Sequence, residues 1–155
     1  MLLIVLLSFC LVAVVFVFHH HILIWLGLFA PKLKLQPQTQ VLVIVFALYI
    51  AHIVEICLYA IVYFFAVEQF DLGEFNGAPV NDLMSYIYYS GVIYTSLGLG
   101  DIYPSGHIRF LTAMETLNGF LLITWSASFT FLAMGRLWSW SDSCDSVEKK
   151  RKKEE

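Results

Sequence analysis

Three long apolar runs, Leu2 to Phe29, Val41 to Val67 and Ile108 to Trp138, constrain this chain more than any other feature. Each exceeds the roughly 20 residues that a helix needs to cross about 30 Å of hydrocarbon. A helix also satisfies its own backbone donors and acceptors, which a hydrocarbon solvent demands. Composition agrees, with 59% hydrophobic residues, 14% charged residues and a mean hydropathy of +0.76, outside the range of soluble domains. The expected fold class is an all-α membrane protein with three transmembrane helices, read as one unit of 155 residues. The first run has no Lys or Arg beside Met1, is far longer than a leader's apolar core and lacks a small-x-small cleavage pattern. It is therefore expected as a retained helix, broken at Ala30-Pro31.

Charge placement orients the spans. No Lys or Arg lies between Lys34 and Arg109, whereas Glu68, Asp71, Glu74, Asp82 and Asp101 fall in that interval. Lys32 and Lys34 sit in the first loop, and Arg136 with Lys149 to Lys153 follows the last span. The positive-inside rule places the first loop and the C-terminus in the cytoplasm and the N-terminus outside. The acidic interval then lies outside, where it raises the local cation concentration. The plainer alternative is that Glu68, Asp71 and Glu74 merely solvate a loop. The net charge of −3 and pI near 5.9 decide nothing, because opposite charges lie on opposite sides.

Between the second and third spans, Asp71 to Val80 reads as an outer loop rich in turn residues, and Asn81-Asp82 as a helix N-cap. Leu83 to Tyr94 then forms a helix of about 18 Å, too short to span, which is expected to dip into the membrane and return. Next comes Thr95-Ser96-Leu97-Gly98-Leu99-Gly100-Asp101. Gly98 and Gly100 can adopt the positive φ that L-residues avoid. The carbonyls between Ser96 and Gly100 can then line up as ligands that replace an ion's hydration shell. The segment is expected to be an ion-selectivity filter. Non-helical backbone at membrane depth must be enclosed by protein, so partner subunits are expected around it.

The run from Asn81 to Gly135 resembles the pore helix, filter and inner helix of the tetrameric potassium channel superfamily, most closely the small prokaryotic two-helix pore type. That family's filter reads Thr-Val-Gly-Tyr-Gly-Asp, and this chain offers Ser96-Leu97-Gly98-Leu99-Gly100-Asp101, preceded by Thr95. Tyr103-Pro104, Arg109 and Glu115 to Gly119 are further matches, with Gly119 at the family's hinge glycine. The resemblance implies a pore domain over 38–138, built of an outer helix 41–67, a pore helix 82–94, a filter 95–101 and an inner helix 107–138. Residues 1–30 would be an extra N-terminal helix bracing the outer one, and 139–155 a cytoplasmic polar tail. It further implies a homotetramer in a bacterial inner membrane that conducts K+ passively. The ion would be held at Ser96, Leu97, Gly98 and Leu99, with Thr95 and Asp101 bounding the filter. Ser96, Leu97 and Leu99 depart from the family's Thr, Val and Tyr, and Leu99 lacks the hydroxyl that anchors a filter sideways. Gly-Leu-Gly also resembles a filter of eukaryotic two-pore-domain channels. A non-selective monovalent cation channel and a non-conducting accessory subunit are the alternatives.

Several side chains carry two readings. Tyr86, Tyr88, Tyr89 and Tyr94 either pack around the filter or form an interfacial belt. Gly119 is either a bend or a close contact. Thr124, Ser126, Ser128 and Thr130 cannot all face a pore. Glu115 is expected behind the filter as a structural group with a polar partner. His52 and Glu55 share a helix face at i and i+3, at a depth comparable to His19, His20 and His21. Their expected contact locks the first two helices together as a structural hydrogen bond, with proton sensitivity as the alternative. Consecutive histidines diverge on a helix, so no metal site is compelled. Cys10, Cys57 and Cys144 suggest no disulfide framework. Trp138 and Trp140 are expected at the inner interface. No arginine series, nucleotide loop, nucleophile-base pair or nucleic-acid surface is legible. Steep voltage gating, catalysis, a cofactor other than permeant K+, a nucleic-acid partner and a small-molecule substrate are therefore not expected.

Overall fold

The structure, a computed structural model, describes residues 2–137. Trp138, Trp140, Cys144 and the tail 139–155 with its basic run lie outside the described residues. The element order is α1 (Leu2–Phe29), a 3-10 turn (Ala30–Lys32), α2 (Pro37–Glu68), β1 (Phe75–Gly77), α3 (Leu83–Tyr94), β2 (Ile102–Pro104) and α4 (Ile108–Leu137). The segments Leu2–Lys32, Pro37–Glu68 and Ile108–Arg136 are long and apolar enough to cross a membrane. The chain is an all-α membrane protein.

Each long helix buries a narrow stripe. On α1 it is Ile4, Ser8, Leu11, Val15, His19, Leu23 and Leu26, and on α2 it runs from Gln40 through Ile44, Leu48, Ala51, Glu55, Tyr59 and Tyr63 to Ala66. Steps of three and four keep such residues on one face of a 3.6-residue helix. Between the stripes Leu6, Phe9, Val14, Leu42, Phe46, Tyr49 and Phe65 are exposed, as expected of faces turned to hydrocarbon. Proline fixes where α2 starts: Pro37 occupies the first turn, where its missing N–H costs nothing, and Gln36 before it is extended. Gln40 Nε2 donates to Leu33 O at 2.6 Å and Leu35 O at 3.2 Å, closing the α1–α2 turn.

The helix α3 lies between α2 and α4, and its start is fixed by its N-cap Asp82, which accepts from Ser85 N at 2.9 Å and Ser85 Oγ at 2.5 Å. Two core clusters form. One joins Ile4, Leu11 and Val15 of α1 with Tyr59, Tyr63, Tyr86, Tyr89, Tyr94, Leu111 and Leu122. The other joins Leu23, Leu26 and Ala30 with Ile44 and Leu48. The outer loop expected over 71–80 contains β1, which pairs antiparallel with β2 in the register Phe75↔Pro104, Asn76↔Tyr103 and Gly77↔Ile102. Three-residue strands are too short to show an alternating pattern in sequence.

Candidate functional site

The Thr95–Asp101 segment leaves the end of α3 with its amides turned back toward that helix. Ser96 N donates to Ile93 O at 2.9 Å, and Leu97 N and Gly98 N donate to Val92 O at 2.9 and 3.3 Å. All peptides are trans, and a trans peptide points its N–H and C=O in opposite directions. The carbonyls of Thr95, Ser96 and Leu97 therefore point away from α3. Ser96, Gly98 and Gly100 have φ of +59°, +55° and +79°, whereas Thr95 before them is right-handed with φ −81°. A right-handed residue followed by a left-handed one turns successive amides to one side. The left-handed Ser96 was not legible from sequence, because such a conformation costs an L-residue about 1–2 kcal/mol. The two glycines adopt it without that cost.

Both ends of the segment are anchored. At the Thr95 end a Cβ on Gly119 would lie 2.2 Å from Tyr94 O and 2.9 Å from Tyr94 Cγ. Only glycine lets α4 come this close to the residue preceding Thr95, and α4 remains helical through it. At the Asp101 end Ala78 N donates to Asp101 O at 2.8 Å, and a Cβ on Gly77, whose φ is +97°, would lie 2.1 Å from that oxygen. Tyr88, exposed on α3, donates to Asp101 Oδ2 at 2.8 Å. Between the anchors, Leu97 and Leu99 are 62% and 58% exposed, and a Cβ on Gly98 or Gly100 would meet nothing within 4 Å.

Behind the segment, Glu115 of α4 is fully buried. It accepts from Tyr63 OH of α2 at 2.6 Å and from Ser90 Oγ of α3 at 2.6 Å. Ser90 is also 2.9 Å from Ile56 O, and Tyr63 and Tyr89 both reach Thr112 Oγ1, at 3.2 and 2.9 Å. Tyr86, Tyr89 and Tyr94 are buried in the core, and Tyr86 OH donates to Glu68 at 3.1 Å. Asn118 Nδ2 donates to Tyr59 OH at 2.8 Å.

A second polar cluster joins four helices. Glu55 of α2 lies 2.8 Å through Oε1 from His19 Nδ1 of α1, and 3.0 Å through Oε2 from His52 Nδ1. Tyr94 OH donates to Glu55 Oε2 at 2.5 Å, and Ser126 Oγ of α4 sits 3.0 Å from His52 Nε2 and 3.1 Å from His19 Nε2. His20 and His21 are exposed, the first stacked on Trp125 and the second donating to Val17 O at 2.7 Å. Sequence reasoning placed His19 and His52 at one depth but had no signal for Tyr94 or Ser126 as partners, since both come from elements that only the tertiary fold brings there. Ser126 faces this cluster, whereas Thr124 and Ser128 are exposed and bond back to Phe120 O and Thr124 O.

Glu68, Asp71, Glu74, Asp82 and Asp101 are all exposed. The Ser85 hydroxyl, and after it the Ser85 amide, holds the Asp82 carboxyl below the usual carboxylate range. Cys10 is exposed and Cys57 half-buried, each a free thiol. Residues 41–136, more than half of the chain, match a family model described as "Ion channel". No curated protein and no solved structure matches the chain.

Proposed function

This chain belongs to that ion channel family, and from that premise we propose that it is a potassium channel whose filter is the Thr95–Asp101 segment. The observation that carries the reading is the alternation of left-handed backbone at Ser96, Gly98 and Gly100, with amides turned back to α3 and carbonyls turned away from it. Carbonyls on one side of a strand replace water around a cation when several copies face one axis. Ser96, Leu97, Gly98 and Leu99 coordinate K+ through these oxygens, and Thr95 and Gly100 extend the row. Asp101, fixed by Tyr88, supplies negative charge at the outer mouth.

The quaternary reading is a homotetramer. It is supported by the exposure of Leu97 and Leu99 and by the open space at Gly98 and Gly100, because such backbone at membrane depth needs protein around it. The helix α3 acts as a re-entrant pore helix whose C-terminal end, with its partial negative charge, lies at the inner end of the filter. The protein sits in a plasma membrane of bacterial type, with the N-terminus and filter mouth outside and the first loop and C-terminus in the cytoplasm. Gly119 is the gating-hinge candidate, placed where α4 meets Tyr94.

The test is flux into liposomes holding the purified protein, with K+ and then Na+ as the sole permeant cation and Gly98→Ala as control. Uptake of K+ alone, lost in Gly98→Ala, is the expected outcome. Equal uptake of both ions would replace selectivity with a non-selective pore, and no uptake of either would favour an accessory subunit.

A further inference from the structure

The His19–Glu55–His52 cluster lies outside the Thr95–Asp101 segment, and its proton count is unusual. A carboxylate only accepts, so the contacts at Glu55 make both Nδ1 atoms donors. Ser126 then faces two Nε2 atoms with a single hydroxyl proton. All four contacts are satisfied together only when the cluster holds one proton more than a carboxylate with two neutral imidazoles. A metal ion on the two Nδ1 atoms satisfies it differently: each imidazole then keeps its proton on Nε2, and Ser126 Oγ accepts both with its two lone pairs.

We propose that His19 Nδ1, His52 Nδ1 and Glu55 bind one divalent transition-metal ion of the Zn2+ class within the membrane domain. One ligand atom from each of the three residues already lies within 4.8 Å of the other two. Ligands on a tetrahedral ion with bonds of about 2.1 Å are about 3.4 Å apart. The 2.8 Å contact to Glu55 Oε1 and the 3.0 Å contact to Oε2 are shorter than that spacing by about half an ångström, and the 4.8 Å limit is longer than it, so small side-chain shifts in both directions would close the three ligands on one ion. Imidazole with carboxylate suits Zn2+, and Tyr94 OH, 2.9 Å from His52 Nδ1, is the nearest fourth donor. The shared Ser126 hydroxyl orients both rings, the role outer-shell partners play at metal-bound histidines. Access is from the His52 edge, whose side chain is 18% exposed, while His19 and Glu55 are closed off. A bound ion would tie α1 and α2 to Tyr94, the residue before the filter.

The test uses full-length protein without a polyhistidine tag, stripped with chelator and titrated with Co2+ in detergent. Visible d–d bands of four-coordinate Co2+ at one ion per subunit, displaced by Zn2+, are expected. They should vanish in His19→Ala and His52→Ala and persist in His20→Ala and His21→Ala. Ser126→Ala should keep the bands with affinity weakened about 10- to 100-fold. His52→Cys guards against misfolded variants, because its thiolate should add a near-ultraviolet charge-transfer band. Wild-type protein without d–d bands, bands indifferent to both His19→Ala and His52→Ala, or a folded His52→Cys without its new band would overturn the site. Binding is read without ion flux, so this result stands apart from the flux assay.

Discussion

Ser96, Gly98 and Gly100 show how much of the proposed site is decided by single backbone angles. A Cβ on Gly98, at φ +55°, would meet nothing within 4 Å, so Gly98→Ala acts through backbone strain and, in the proposed tetramer, through crowding on the shared axis. K+ flux should fall to background while the oligomer still assembles, as size-exclusion chromatography would report. Gly119 differs, since a Cβ there meets Tyr94 O at 2.2 Å. Gly119→Ala should lower stability by about 1–3 kcal/mol through overpacking, read as a lower melting temperature in detergent; unchanged melting with altered opening would point to a hinge instead. Ser90→Ala leaves Glu115 Oε1 without its 2.6 Å donor and should cost about 1–3 kcal/mol by the same assay. Sequence showed that Gly98 and Gly100 can turn left-handed and that Glu115 needs a partner. It could not show that Ser96 turns too, or that Tyr63 and Ser90 are those partners, because these follow from chain segments meeting in space.

At the scale of elements, the three spans and the short helix were legible because apolar length and the Asn81-Asp82 cap are local signals. The pairing of β1 with β2 was not, since its partners, from Gly77↔Ile102 to Phe75↔Pro104, lie far apart in the chain and meet only in the tertiary fold. That pairing holds the outer end of the proposed filter. Gly77→Ala, colliding with Asp101 O at 2.1 Å, should loosen that end and reduce the K+-to-Na+ flux ratio while leaving expression intact. An unchanged ratio would remove the hairpin from the mechanism. The N-cap of α3 gives a pH prediction with a definite sign. The Asp82 carboxyl is held below its usual range by Ser85, so its stabilisation is present above the unfolded carboxylate range and fades as pH falls through the lower folded value. The melting advantage of the wild type over Asp82→Ala should shrink below about pH 4, while Asp82→Asn, a cap without that ionisation, should show no such loss.

At the scale of the whole molecule, the charge asymmetry bears on sidedness and the open face of Thr95–Asp101 on assembly. Lys34 and Asp71 are both exposed and lie at opposite ends of α2. Impermeant thiol reagents should label Asp71→Cys from outside intact cells, and Lys34→Cys only after permeabilisation, in a background where Cys10, Cys57 and Cys144 are replaced by Ser. The reverse pattern would invert the topology. The lipid-facing character of the helices was plain from their length and apolarity. Which remaining face would meet other copies in the proposed assembly was not, because in a membrane both surfaces are apolar and only the exposed backbone of the proposed filter tells them apart. Selective conduction of K+ through Thr95–Asp101 is the proposed activity. It is tested most directly by the reversal potential across a planar bilayer holding the purified protein, with K+ on one side and Na+ on the other. A reversal potential that tracks the K+ gradient as the K+ concentration is varied is the predicted result, and one that stays near zero whichever ion is on either side would contradict it.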